Sequence, residues 1–411
     1  MKTFRLAAAA AASVLFLTGC SLWGAGSESE AAGSSYSSVW DRSSEQPQAP
    51  KLEKKDFKLS TATEYFYDRL SSQRMKTAVL TLIKGLRAHD EAISLEGLEL
   101  KEDELREIFD LVISCEPELG WLDYHYHYEV ETYKSGKIAN AYFRYTLSLE
   151  EERAAVEEMD SIIEKIVSAT EGMSDFDRML YFHDHIISNC EYDESGKNAW
   201  SAYGCLVEGR AVCEGYSKAL IALCSAAGVA CLPVNGTIDK EGQELHMWNK
   251  VRMDNEWYNI DLSWDDPVNA DDNESSELGS YINHVYFGCN DERMSLDHIE
   301  EEISIISYPK ANAAEDNYFI KSGLYIDDEE RAGELLYSIA ADRLERGESA
   351  FQILFSSDEV YSSFYENQIK SEQIFTALSQ LANEGFNVDG TSFLYLMNDE
   401  QDIITFILKQ N

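Results

Sequence analysis

Basic side chains are scarce: Lys and Arg together number 34 against 75 Asp and Glu, a formal net charge of −41 over 411 residues. A nucleic-acid backbone demands a positive surface, so that class of partner is excluded. The acid excess reads as solubility, since no loop carries the ligand spacing of a calcium site. Beyond the first twenty residues no apolar run reaches the ~18 residues of a membrane span. C-x-x-C and H-x-x-x-H pairs are missing, which removes the usual zinc spacings. No internal repeat is visible. What remains is a globular composition, 44% hydrophobic and 27% charged. The length suffices for two or three compact units with a sizeable core.

The first residues read as an export signal. Lys2 and Arg5 precede an apolar run from Leu6 to Leu17. Leu17-Thr18-Gly19-Cys20 then resembles the bacterial lipoprotein signal. That resemblance implies removal of residues 1–19 and a lipid on Cys20; an ordinary secretory peptide is the alternative. Residues 20–50 are rich in Ser, Gly, Ala and Glu, with Pro47 and Pro50. They cannot bury a core, and form a flexible tether with a coil reach of roughly 30 Å. The expectation is an exported chain, lipid-anchored to the bacterial membrane and facing its extracellular or periplasmic side. Of the cysteines at 20, 115, 190, 205, 213, 224, 231 and 289, removing Cys20 leaves an odd set. At least one thiol is then unbridged, and Cys213 is the candidate; pairing among the others stays open.

Residues 51–170 read as an N-terminal α/β region. Helical spacing runs through 57–88 and 102–115, the latter stopped by Pro117. Two β-rich runs, Trp121–Thr132 and Asn140–Leu147, flank Ser135-Gly136-Lys137 as a hairpin. His125 and His127 share a strand face; without a third ligand they read as structural rather than metal-binding. A charged amphipathic helix covers 149–170, and another covers 174–188 behind Ser174 or Asp175 as N-cap. Residues 171–310 form a central domain. Residues 311–411 alternate strand and helix, with a helix at 328–346, a strand at 351–355, a helix at 367–384 and two closing strands. They make a small α+β domain with no Cys or His, suited to binding or packing.

The chemistry concentrates in 203–266. Apolar residues from Val212 to Leu223 follow one helix face, ending at Gly228. Cys213 therefore lies in a first helical turn, where free N–H groups and the dipole favour a thiolate and could hold an oxyanion. Gly209 and Gly215 would let a substrate backbone approach. Residues 246–253 and 257–264 are strand-like runs around Asp254-Asn255, a turn signal. With a two-residue loop, His246 and Asp261 become diagonal neighbours on one face, ~7–8 Å apart at the backbone and within side-chain reach. Met247, Val251, Met253, Tyr258, Ile260 and Leu262 then collect on the other. Cys213 as nucleophile, His246 as base and Asp261 as orienting carboxylate make a thiol system. Tyr203 is a candidate oxyanion donor, and Trp248 could wall an acyl channel. A soft Cys/His metal site is the rival reading.

The runs AYGCLVEGRAVCEGYSKAL, HMWNKV and WYNIDLSWDDP resemble the transglutaminase-like superfamily, closest to bacterial extracellular members. Cys213, His246 and Asp261 stand at that family's Cys, His and Asp positions. SDFDRMLYFHDHIISNCEYD matches the helix leading into its core, and HVYFGCNDERMSLDH resembles a segment that comes after it. The resemblance implies an α+β, papain-like core, a nucleophile helix packed on an antiparallel sheet, with no cofactor and no metal. It also implies protein or peptide substrates, here at the cell surface, attacked at amide bonds by acyl transfer or hydrolysis. A non-catalytic surface module on the same fold is the alternative, because fold does not fix reaction.

Overall fold

A computed structural model describes residues 39–40, 48–122, 128–238, 244–266 and 281–410. The export signal, Cys20, most of the tether, His125 and His127 lie outside these residues. Among the described residues no helix is long and apolar enough to cross a membrane, and no disulfide joins the seven buried cysteines. The chain divides into two compact units. One is Gly19–Ser263 with His298–Ala311; the other contains Trp264–Asp297 and Asn312–Asn411.

In the larger unit the helical run at 57–88 is two helices, α1 (Thr61–Arg69) and α2 (Gln73–Arg87). Leu70 leaves helical geometry and turns into the core, and the chain restarts from Ser72 in extended conformation. Strand β1 (Ala92–Ser94) comes next, then α3 (Glu102–Cys115), which ends just ahead of Pro117. Strands β2 (Glu129–Tyr133) and β3 (Ile138–Tyr142) form the expected hairpin, and β1 pairs antiparallel on the far edge of β3. Gly136 takes a φ of +76° in its turn, a conformation glycine adopts without strain.

Helix α4 (Leu149–Ser168) opens with a reciprocal cap: Ser148 Oγ accepts from the Glu151 N–H, and the Glu151 carboxylate accepts from the Ser148 N–H. Ser174 Oγ caps α5 (Asp175–Asn189), accepting from the Asp177 N–H at 3.1 Å.

Helix α6 (Cys213–Ala227) is the centre of this unit. Every residue from Cys213 to Cys224 is buried. An all-round apolar helix must be covered on all sides, and α1, α3, α4 and α5 all pack on it. Its remaining face rests on a sheet of β4 (Cys231–Thr237), β5 (Leu245–Met253) and β6 (Glu256–Ile260). A short strand β7 (Ile299–Glu300) adds antiparallel to β4. Gly228 closes α6 with a φ of +73°, as a C-terminal glycine does.

The smaller unit is α+β in its own right. Strand β8 (Tyr325–Ile326), helix α7 (Ala332–Glu345), strand β9 (Ala350–Phe355) and helix α8 (Asp358–Phe364) come first. Helix α9 (Ile374–Glu384), β10 (Phe393–Asn398) and β11 (Ile403–Leu408) complete it. The sheet order is β8-β9-β11-β10, with β8 parallel to β9 and the other pairs antiparallel. Phe351, Ile353, Phe355, Phe364, Leu378, Ile404 and Phe406 fill its core. The single helix expected at 367–384 is split: a wide helical turn, Tyr365–Lys370, continues α8, and α9 starts at Ile374 after Glu372, whose φ is +62°.

Candidate active site

The β5–β6 hairpin turns at Asp254 and Asn255, with φ of 48° and 72°. Two successive positive φ values make the type I′ turn that suits a twisted hairpin. Asn249 pairs with Ile260, Lys250 with Asn259, Val251 with Tyr258 and Met253 with Glu256. This is the two-residue-loop register read from the sequence. Met247, Val251, Met253, Tyr258 and Ile260 are all buried.

Strand β6 stops at Ile260, four residues short of the strand-like run read through Trp264. The Asp261 side chain is the reason. Its Oδ1 accepts from the Ser263 N–H at 3.0 Å and from the Ser263 hydroxyl at 2.8 Å. An aspartate bonded to a backbone N–H two residues on draws the chain into a turn, and a helical turn, Leu262–Asp265, comes next.

The other oxygen of Asp261 faces two imidazoles. Oδ2 lies 2.5 Å from His246 Nε2 and 3.1 Å from His298 Nε2. All three side chains are buried. Burial alone would raise the Asp261 carboxyl, but the charge of His246 and the hydrogen bonds from His246 and His298 outweigh it. They hold the carboxyl well below the usual carboxylate range. Trp248 packs beside both imidazoles: its ring stacks at 6.3 Å on His246 and meets His298 edge-on at 5.2 Å, while its Nε1–H donates to Asn259 Oδ1 at 3.1 Å.

Cys213 is the first residue of α6 and 2% exposed. The preceding Val212 offers no side-chain acceptor to the first-turn N–H groups, so the helix end keeps its preference for an anion. Helix and hairpin are stitched together next to the site. Asn249 Nδ2 donates to Ser217 Oγ at 2.9 Å and to the Ser217 carbonyl at 3.2 Å, and Ser217 Oγ donates to the Trp248 carbonyl at 3.4 Å. Cys213 is four helical residues, ~6 Å along the axis, before Ser217. His246 is two strand residues, ~6.6 Å, before Trp248. Glu214 and Lys218, buried on the same helix, pair at 2.6 Å.

Other sequence candidates find different partners. The Tyr203 hydroxyl donates a hydrogen bond to the Glu158 carboxylate at 2.9 Å, and its ring packs on Trp121. Gly215 admits the protein's own backbone: a Cβ there would stand 2.4 Å from the Ala199 carbonyl. Gly209 serves a turn, with φ of +70°. The sequence reading missed His298, which lies 37 residues beyond Asp261. The only signal for it was its place at the end of the HVYFGCNDERMSLDH run.

His246, Asp261 and His298 are residue types that bind metal. Two ligand atoms on a tetrahedral zinc stand ~3.3 Å apart at ordinary bond lengths. The 2.5 Å between His246 Nε2 and Asp261 Oδ2 is a hydrogen-bond separation.

Residues 161–262 match the family model of the transglutaminase-like superfamily. The chain contains a transglutaminase-like core. That core runs from within α4 to Leu262 and includes Cys213, His246 and Asp261; His298 falls beyond it. Among solved structures, the chain is similar to a candidate cysteine protease from Cytophaga hutchinsonii. Identity is 21% and the TM-score 0.23, over 26% of this chain and 37% of that one. It is also similar to a TGase, at 15% identity and a TM-score of 0.23, over 33% of this chain and 44% of that one. The chain thus spans less than half the length of either. No curated protein matches it. The matched residues have the mixed helices and antiparallel sheet of an α+β fold.

Proposed function

We propose that the chain is a surface-anchored thiol enzyme that acts on protein or peptide amide bonds through Cys213, His246 and Asp261. The observation that carries this reading is the pairing of His246 with Asp261 on a hairpin bonded to α6, the helix that Cys213 opens. Asp261 is an acceptor on the Nε2 side of His246, so that nitrogen holds the proton and Nδ1 is the basic one. His246 Nδ1 takes the thiol proton of Cys213. The thiolate sulfur adds to the amide carbonyl carbon, and the C–N bond then breaks as the imidazolium returns its proton to the departing nitrogen. A thioester on Cys213 remains. An amine or water attacks it, giving its proton to Nδ1, and the C–S bond breaks to restore the thiol system. An amine yields transfer; water yields hydrolysis.

The cell-surface part of the proposal is supported by the Leu17–Cys20 pattern. Cys20 carries the lipid, and proteins or peptides at the outer face are the substrates. Near neutral pH, labelled iodoacetamide is expected to modify Cys213 selectively, with the Cys213→Ala protein left unlabelled. Equal labelling of wild type and variant contradicts the reading. Partner capture that survives in Cys213→Ala, without any such reactivity in wild type, favours the non-catalytic module instead.

A further inference from the structure

We infer that His298 is a positioning residue of this site: its imidazole is the second donor to the Asp261 carboxylate and locks that carboxylate, and through it the His246 ring, in one orientation. This rests on the thiol-site reading and deepens it.

The hydrogen bonds on Asp261 carry the inference. An ionised carboxylate only accepts, with about two positions on each oxygen. On Asp261, Ser263 N–H and Oγ occupy Oδ1, and the two imidazoles occupy Oδ2. Neither oxygen can swing without breaking a bond to a buried partner. Both Nε2 atoms face the same anionic oxygen, so both carry protons, and the neutral His246 ring keeps its bare lone pair on Nδ1. Were His298 lost, a buried position on Oδ2 would go unfilled, and the carboxylate could rotate towards Ser263.

Separate architecture delivers His298 to this place. It immediately precedes β7, whose Ile299 and Glu300 pair with Thr237 and Gly236 of β4. Lys250, itself a buried residue of β5, holds the same segment through Glu300 at 2.5 Å and the Pro309 carbonyl at 3.1 Å. Gly236 is required for the fit, since a Cβ there would stand 2.2 Å from the Ile299 carbonyl and 2.6 Å from the Trp248 ring. Trp248 and His246 then flank the His298 ring at 5.2 Å and 5.4 Å. Among the described residues, His246 from β5 and His298 from the segment before β7 are titratable groups that act on the Asp261 carboxylate.

The test compares wild type, His298→Phe and His298→Gln in the otherwise intact chain. The readouts are the pH profile of Cys213 alkylation by iodoacetamide and the ring-nitrogen NMR signals of His246. Phe fills the space without a donor; Gln restores an N–H near the Nε2 position. The Phe variant is expected to alkylate about 10-fold more slowly near neutral pH, the loss of one bond to a charged acceptor, with a mixed His246 tautomer. The Gln variant is expected to stay within about threefold of wild type and to keep the Nε2–H tautomer. A folded Phe variant with the wild-type profile and tautomer overturns the inference. If the Phe variant fails to fold, His298→Ala with and without added imidazole decides: a mixed tautomer that imidazole returns to Nε2–H upholds the inference, and a single Nε2–H tautomer in both conditions overturns it. Wild type without selective Cys213 labelling contradicts the thiol-site reading, and the His246 tautomer still decides the role of His298.

Discussion

Asp261→Asn keeps the side chain's volume and removes its charge. Asp261 accepts hydrogen bonds from His246, from His298, and from the N–H and hydroxyl of Ser263. An asparagine brings one acceptor oxygen and two N–H donors to the same place. With its oxygen towards the imidazoles, its NH2 group confronts the Ser263 N–H. Turned over, it confronts two ring N–H groups, and His246 must move its proton to Nδ1, the position a thiol proton needs. In either orientation two bonds to a charged acceptor are lost, at roughly 1.5–3 kcal/mol each. A loss of about 3 kcal/mol from the imidazolium form moves the pH profile of Cys213 alkylation upward by about two units. Melting curves run alongside, because breaking a buried charge cluster costs ~3–5 kcal/mol of stability. Alkylation monitored from about pH 5 to 9 by intact-protein mass spectrometry measures the shift around the ordinary thiol range. A folded Asp261→Asn protein with the wild-type profile would refute the role given to this carboxylate.

Packing and charge lead to two more expected outcomes. Burial pushes the Asp110 carboxyl up from 3.8 to about 7, with Arg106 opposing and Glu301, Glu107 and Glu214 adding to the rise. The folded state therefore holds this proton after the unfolded chain has released it, so the group's contribution falls as pH rises from about 4 to 7, by up to ~4 kcal/mol. Asp110 keeps some surface in solvent, so Asp110→Asn is expected to gain about 2 kcal/mol at pH 8 and nothing at pH 4, read from urea melts. Equal gains at both pH values contradict the burial argument. Gly236→Ala drives a methyl group into the Ile299 carbonyl and the Trp248 ring. It is expected to cost ~1–3 kcal/mol and to slow Cys213 alkylation by displacing His298; an unchanged melt and rate would show that β7 gives way freely.

Local rules made much of this site legible in the sequence. Asp254-Asn255 fixed the turn, the turn fixed the register, and the register brought Asp261 to His246. Helix periodicity placed Cys213 at the start of α6, and the Ser174 cap placed the start of α5. Long-range contacts were not legible. Strand β7 is two residues long, too short for an alternating pattern, so nothing local announced that it carries His298 to Asp261. Gly215 invited a reading about substrate until the approach of the Ala199 carbonyl became visible. The break at Leu70 and the left-handed Glu372 each interrupt an apolar pattern that would support a continuous helix. The packing of α1, α3 and α4 on α6 within one compact unit is another long-range feature that no local pattern carries.

The most direct measurement supplies a glutamine-containing protein and a labelled primary amine to wild type and to Cys213→Ala, and tracks both amine incorporation and peptide cleavage by mass spectrometry. The account predicts incorporation or cleavage with wild type, a thioester-linked intermediate on Cys213, and neither product with the variant. Turnover that persists undiminished in Cys213→Ala would contradict it.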